Sequence, residues 1–174
     1  MGKRKKKKHK KKQNRGRTGP TLAQQADRYE LYLESVQDAE VEVEFFDRVY
    51  REVRGKAPVQ LREDFCGTFA VCCEWVKTEG RTALGVDLDP EPLAWGREHN
   101  LAKLESAAQE RVTLVQGDVR AELEPKADIL AAQNFSYWIF KTRDELRAYF
   151  EIARQNLAED GIMVLDLFGG SECY

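Results

Sequence analysis

Histidine is scarce in this chain of 174 residues: His9 and His99 are the only two. No Ser/His/Asp set and no histidine-ligated metal cluster can be assembled from them. The four cysteines, Cys66, Cys72, Cys73 and Cys173, match no zinc-ligand spacing, so no metal is expected. No stretch approaches the roughly 18 consecutive apolar residues of a membrane span. No apolar segment follows the N-terminal charges, so they do not form a secretory signal. Reduced thiols and a cytoplasmic location are the expectation, or a nuclear one in a eukaryotic source. The G-x-G-x-x-G fingerprint of a dinucleotide site is also missing. Where it would stand, Gly67 is alone between Phe65 and Phe69.

The first 17 residues lack any acid but hold eleven of the chain's 28 basic residues. The rest therefore carries 17 basic against 30 acidic residues, an acidic body with a basic arm. Apart from Met1 the arm has no apolar residue, and like charges repel, so residues 1–20 are expected to be a disordered polybasic arm. One reading of residues 3–17 is an electrostatic tether to RNA, ribosomes or another polyanion. The plainer one is a solubilising tail, or one folded back on the acidic body.

Beyond the Gly16–Pro20 linker, residues 21–58 read as an N-terminal helical cap. A first helix runs from Thr21 through Leu33. A second, about Ala39 to Arg54, places Val41, Phe45, Phe46, Val49, Tyr50 and Val53 on one face. Tyr29, Tyr32 and Gln37 are positioned either to close over a ligand or, for the tyrosines, simply to pack.

Residues 59–174 alternate strands with helices. Strands are expected at Val59–Asp64, Thr82–Asp87, Val112–Gln116, Ala127–Gln133 and Ile162–Asp166. Helices are expected from Phe69 to about Glu79, from Pro90 toward Ala107, and from Thr142 to Leu157. Asp89-Pro90 is a good N-cap and first helical residue, and Thr142-Arg143-Asp144-Glu145 is a capping box. A helix or turn covers Val119–Leu123. This alternation predicts an α/β fold, a Rossmann-like parallel sheet with helices on both faces.

In such a sheet the carboxyl ends of the strands converge on one edge, where ligands bind. Here they read Glu63/Asp64, Asp87, Asp118 and Gln133/Asn134. Gly67 lets backbone approach a ligand. Asp87, 20 residues further on, suits ribose hydroxyls. Asp118 is placed to accept from an exocyclic amine. Paired carboxylates beside the turn repel a pyrophosphate and favour a ligand with adenosine at one end and a cationic, amine-bearing group at the other.

From about Tyr29 onward, the chain resembles class I S-adenosylmethionine-dependent methyltransferases. Leu61 to Thr68, LREDFCGT, is similar to the family's first motif, Gly85-Val86-Asp87-Leu88-Asp89 to its second and Gln116-Gly117-Asp118-Val119 to its third. The strings REDFCGT and QNFSYW resemble one bacterial-type subgroup. The resemblance implies S-adenosylmethionine as cofactor and methyl transfer to an unidentified acceptor. Glu63, with Asp64 as the alternative register, would bind the methionine amino group. Gly67 would pack under the methionyl part, Asp87 would bind the ribose and Leu88 would lie against the adenine. Asp118 would bind the adenine amine and Val119 would supply backbone, with Cys66 and Gln133 completing the cofactor-binding set. Phe65 and Phe69 depart from the motif, which has glycine at both positions.

Asn134-Phe135-Ser136-Tyr137 stands where amino-methylating members carry Asn/Asp-Pro-Pro-Tyr/Phe, without the prolines. Asn134 would orient an acceptor nitrogen and Tyr137 would stack on it, making these two the catalytic candidates. Alternatively Asn134 caps the strand end and the aromatics line the cofactor pocket. The full fold has two more strands, so C-terminal truncation is expected: a fragment, or a domain completed by a partner. The alternative function is a non-catalytic RNA- or ribosome-associated protein on a degenerate scaffold, anchored by the arm.

Overall fold

The computed structural model describes residues 19–171. The polybasic run at 3–17 and Cys173 lie outside them. Five strands form one parallel sheet: β1 (Gln60–Asp64), β2 (Thr82–Asp87), β3 (Val112–Gln116), β4 (Ala127–Ala132) and β5 (Leu157–Leu165), in the order β3-β2-β1-β4-β5. The strand order reverses at β1, so a crevice opens beyond its carboxyl end, between the loops after β1 and β4.

Seven α-helices accompany the described strands: α1 (Leu22–Gln25), α2 (Arg28–Ser35), α3 (Ala39–Arg54), α4 (Ala70–Trp75), α5 (Pro90–His99), α6 (Ser106–Gln109) and α7 (Arg143–Asn156). One face of the sheet is covered by α3, α4 and α5, where Phe46, Tyr50, Trp75 and Leu93 pack on Leu61 and Ile129. The other is covered by α7, whose Tyr149 meets Leu84, Val86 and Ala132. Asp89 and the Thr142–Glu145 box cap their helices through the expected hydrogen bonds, and Asp38 caps α3 by accepting from Val41 N–H.

The structure departs from the expected elements in five places, one being the helix expected from Phe69 to about Glu79, which ends at Trp75. The helix expected from Thr21 to Leu33 is two helices, because the Asp27 carboxylate accepts from the Tyr29 and Glu30 N–H groups and starts a new one. The buried stripe of α3 is Val43, Phe46 and Tyr50, while Val41, Phe45 and Val53 are exposed. Two apolar stripes run side by side on this helix, and only the i, i+3, i+7 set meets the sheet. After His99 the expected long helix gives way to a 3-10 turn (Leu101–Lys103) and the short α6. Finally, β5 begins directly after α7. Leu157 pairs with Ala127 but Ile162 with Ile129, so residues 158–161 bulge out.

Candidate functional site

The turn after β1 has three left-handed residues within five: Phe65 (φ 59°), Gly67 (φ 52°) and Phe69 (φ 45°). Non-glycine residues pay about 1–2 kcal/mol for this conformation, so something must hold the two phenylalanines there. Phe65 packs on Phe140 and Tyr149, with ring centroids 6.2 and 5.9 Å away. Phe69 is fully buried beneath α5, where a Cβ on Gly96 would stand 2.6 Å from its ring. Aromatic burial thus holds a glycine-type backbone path. Gly67 itself leaves bare backbone, with no other atoms within 4 Å of where its Cβ would be.

The period-2 alternation of β1 separates its charged residues. Arg62 and Asp64 point to the α7 face. Arg62 Nε donates to Asp64 Oδ1 at 2.7 Å, and Tyr149 Oη donates to Asp64 Oδ2 at 3.0 Å. Arg62 Nη2 also donates to the Val119 carbonyl at 2.8 Å, tying down the loop after β3. Both Asp64 oxygens are therefore engaged by the protein's own donors.

Glu63 points to the opposite face and has no cationic partner among the described residues. Its Oε2 accepts from Cys72 N–H and Sγ at 3.3 and 3.1 Å. Burial, reinforced by the charges of Glu42 and Asp87, pushes its carboxyl up to about 8. The unfolded carboxyl titrates near about 4.3. Between those two values the native state keeps a proton that the unfolded state releases, so stability falls as pH rises. Glu42, raised to about 7, adds to the same slope. The ligand-free protein is thus expected to be more stable at pH 6 than at pH 8. Glu63→Gln should remove most of that difference and stabilise the protein at pH 8 by about 1–3 kcal/mol in urea titrations. An unchanged pH profile would show that Glu63 is ionised as it stands.

A cavity of 340 Å³ opens at this edge. Its walls include Glu63, Asp64, Cys66 and Gly67 from β1 and its turn, and Gln133 and Asn134 after β4. Arg28, Tyr29, Tyr32 and Gln37 close it from the N-terminal helices. That side is pinned to α5 by Trp95 Nε1 donating to Asp27 at 2.7 Å and by an Arg28–Glu91 ion pair of 2.5 Å. Burial pushes the Cys66 thiol well up, so it is a neutral part of the wall at physiological pH. Asp87 stands behind the turn: Oδ2 accepts from Gly67 N–H at 2.7 Å and Oδ1 from Asp89 N–H at 2.9 Å. Leu88 is 72% exposed beside it. Asp118 forms a two-pronged ion pair with Arg120, with contacts of 2.6 and 3.0 Å, and Val119 is buried. Asp87, Leu88, Asp118 and Val119 do not line the cavity; they flank its β2–β3 side.

Asn134 and Phe135 are both left-handed, and their N–H groups donate to the Asp166 carboxylate at 2.8 and 3.0 Å. Tyr137 Oη donates to the Asp166 carbonyl at 2.9 Å, so its hydroxyl is engaged away from the cavity. Asp166 thus organises the loop carrying both catalytic candidates. Its position at the end of strand five was the available signal. Tyr149 had none, because it reaches Asp64 across 85 residues. No group of three or more His, Cys, Asp or Glu among the described residues is arranged to hold a metal ion, and no described helix is long and apolar enough to cross a membrane.

No protein-family model matches the chain, and no curated protein matches it significantly. Solved structures do. The S-adenosylmethionine-bound amino pentose methyltransferase CalS10 from Micromonospora echinaspora is 24% identical with TM-score 0.67, over 86% of this chain and 59% of its own. The sugar N-methyltransferase KedS8 from a Streptoalloteichus species is 22% identical with TM-score 0.66, over 96% and 63%. The glycopeptide N-methyltransferase MtfA, complexed with S-adenosylmethionine, is 21% identical with TM-score 0.61, over 75% and 55%. The alignments span between 55% and 63% of these structures' lengths. The chain has the Rossmann-like fold of S-adenosylmethionine-dependent methyltransferases.

Proposed function

We propose that this protein binds S-adenosylmethionine in the cavity at the end of β1 and transfers its methyl group to an acceptor. One observation carries this reading. Glu63 is a buried carboxylate, only 3% exposed, that lines the cavity without a cationic partner among the described residues. A buried acid with no cation beside it gains one from an ammonium and offers none to a phosphate. It also favours one of the two registers left open by the sequence: Glu63 takes the methionine amino group, while Asp64, held by Arg62 and Tyr149, serves as a structural acid.

The remaining roles follow from position. Gly67 offers bare backbone to the methionyl chain. Asp87 holds that backbone and keeps lone pairs for the ribose. Asp118 and Val119 form the adenine side, with Leu88 as an apolar cover, and Cys66 and Gln133 complete the wall. Tyr29 and Tyr32 shut out water from above. The bound cofactor supplies an already activated sulfonium methyl, so the protein's contribution is to position the reactants and exclude water. Asn134 presents its amide beside this region and suits the orientation of an acceptor. Tyr137 acts by bracing the loop through Asp166.

Titration calorimetry with S-adenosylhomocysteine tests the reading. Saturable one-site binding is expected, with no heat from NAD⁺. Binding of NAD⁺ with none of S-adenosylhomocysteine would overturn it.

A further inference from the structure

A second cavity, of 510 Å³, adjoins the first. Gln133 lines both. The other walls of the second come from α3: Val41, Glu42, Glu44, Phe45 and Arg48. Two buried oxygens in these walls have no hydrogen-bond partner, Glu42 Oε2 and Gln133 Oε1. No other buried side-chain nitrogen or oxygen among the described residues is left unpaired. Both are acceptors, they come from different elements, and both residues line this one cavity. Leaving such groups unpaired costs about 1–3 kcal/mol each, more for a charge. The space therefore suits a ligand that donates hydrogen bonds.

The remaining walls narrow its chemistry. Val41 and Phe45 are 58% and 42% exposed and give the cavity an apolar side. Arg48 is exposed, and its guanidinium lies over the Phe45 ring at 5.7 Å. The cavity walls thus combine unpaired acceptors with an apolar surface.

We propose that this cavity is the acceptor site, and that Glu42 and Gln133 together bind an ammonium or amine carried on an apolar body. The proposal rests on the cofactor reading for the word acceptor, but not for the binding of an amine. Glu42 forms the charge-assisted bond, and Gln133 carries the nitrogen toward the first cavity. Glu42 then takes one N–H proton, so that the ammonium becomes an amine with a free lone pair and the carboxylate becomes a carboxylic acid. Its setting suits that exchange: burial, with Asp166 and Asp38 adding like charge and Gln37 opposing, brings its carboxyl up to about 7.

Ligand-observed NMR with cyclohexylamine and cyclohexanol, with and without saturating S-adenosylhomocysteine, tests this. The amine is expected to bind about tenfold more tightly than the alcohol, the worth of one charge-assisted hydrogen bond. Glu42→Gln should abolish that preference without changing affinity for S-adenosylhomocysteine. Gln133→Met should weaken amine binding about threefold, which keeps the proposal testable should Glu42→Gln fold poorly. Equal binding of amine and alcohol, or a preference that survives both substitutions, overturns the proposal. If S-adenosylhomocysteine fails to bind while the amine preference stands, the cofactor reading falls and the amine site remains.

Discussion

Asp87→Ala is expected to lower affinity for S-adenosylhomocysteine about 100-fold, from the loss of two charge-assisted hydrogen bonds of about 1.5 kcal/mol or more each. The substitution acts twice. It removes the acceptor proposed for the ribose, and it releases Gly67 N–H, now held at 2.7 Å, so the turn after β1 loses its anchor. Asp87→Asn keeps one acceptor oxygen and should fall between the two. Calorimetry on all three proteins, with urea unfolding to confirm that each is folded, reads the effect. An Asp87→Ala protein that is folded and binds as tightly as the parent would remove Asp87 from the site.

The second large effect concerns stability. Arg62→Met should cost about 3–5 kcal/mol, because it leaves the Asp64 carboxylate buried at 1% exposure with only the Tyr149 hydroxyl. It also strips the Val119 carbonyl of its donor, loosening the loop that carries Asp118. Adding Asp64→Asn should recover part of the loss, since a neutral amide still accepts from Tyr149 without burying a charge. Urea unfolding of both variants decides the matter. If Arg62→Met costs less than about 1 kcal/mol, Asp64 is not ionised in the fold, and its assignment as a structural acid fails.

These two predictions also mark what was readable from residues alone. The sheet was legible because most strands are short apolar runs with an acid or amide at or just after their carboxyl end, followed by a turn. The caps were legible for a local reason: Asp89 and Thr142 satisfy N–H groups two or three residues away. The alternation that sends Arg62 and Asp64 to one face and Glu63 to the other was available in principle, since it needs only the strand period. What was not available was the partner. Tyr149 comes from the far side of the chain, and only the packing of α7 brings its hydroxyl to Asp64.

The same distinction explains α3. Its two apolar stripes are equivalent as a pattern, and the choice of Val43, Phe46 and Tyr50 is made by the sheet beneath them. Val41 and Phe45 are left to line the second cavity, with Glu42 between them. An acid next to an apolar stripe reads as a solvated residue until the helix is docked. Phe65 and Phe69 were the opposite case. As residues they argue against a tight glycine turn, yet burial of the Phe69 ring and packing of the half-buried Phe65 ring on Phe140 and Tyr149 keep the left-handed backbone that glycine would otherwise supply.

The central claim is that Glu63 receives the amino group of an adenosyl ligand. Calorimetric comparison of S-adenosylhomocysteine with 5′-methylthioadenosine, which lacks the amino acid portion, tests it most directly. The parent protein should prefer S-adenosylhomocysteine by about tenfold or more, and Glu63→Gln should bind the two almost equally. Equal affinities in the parent, or a preference untouched by Glu63→Gln, would contradict it.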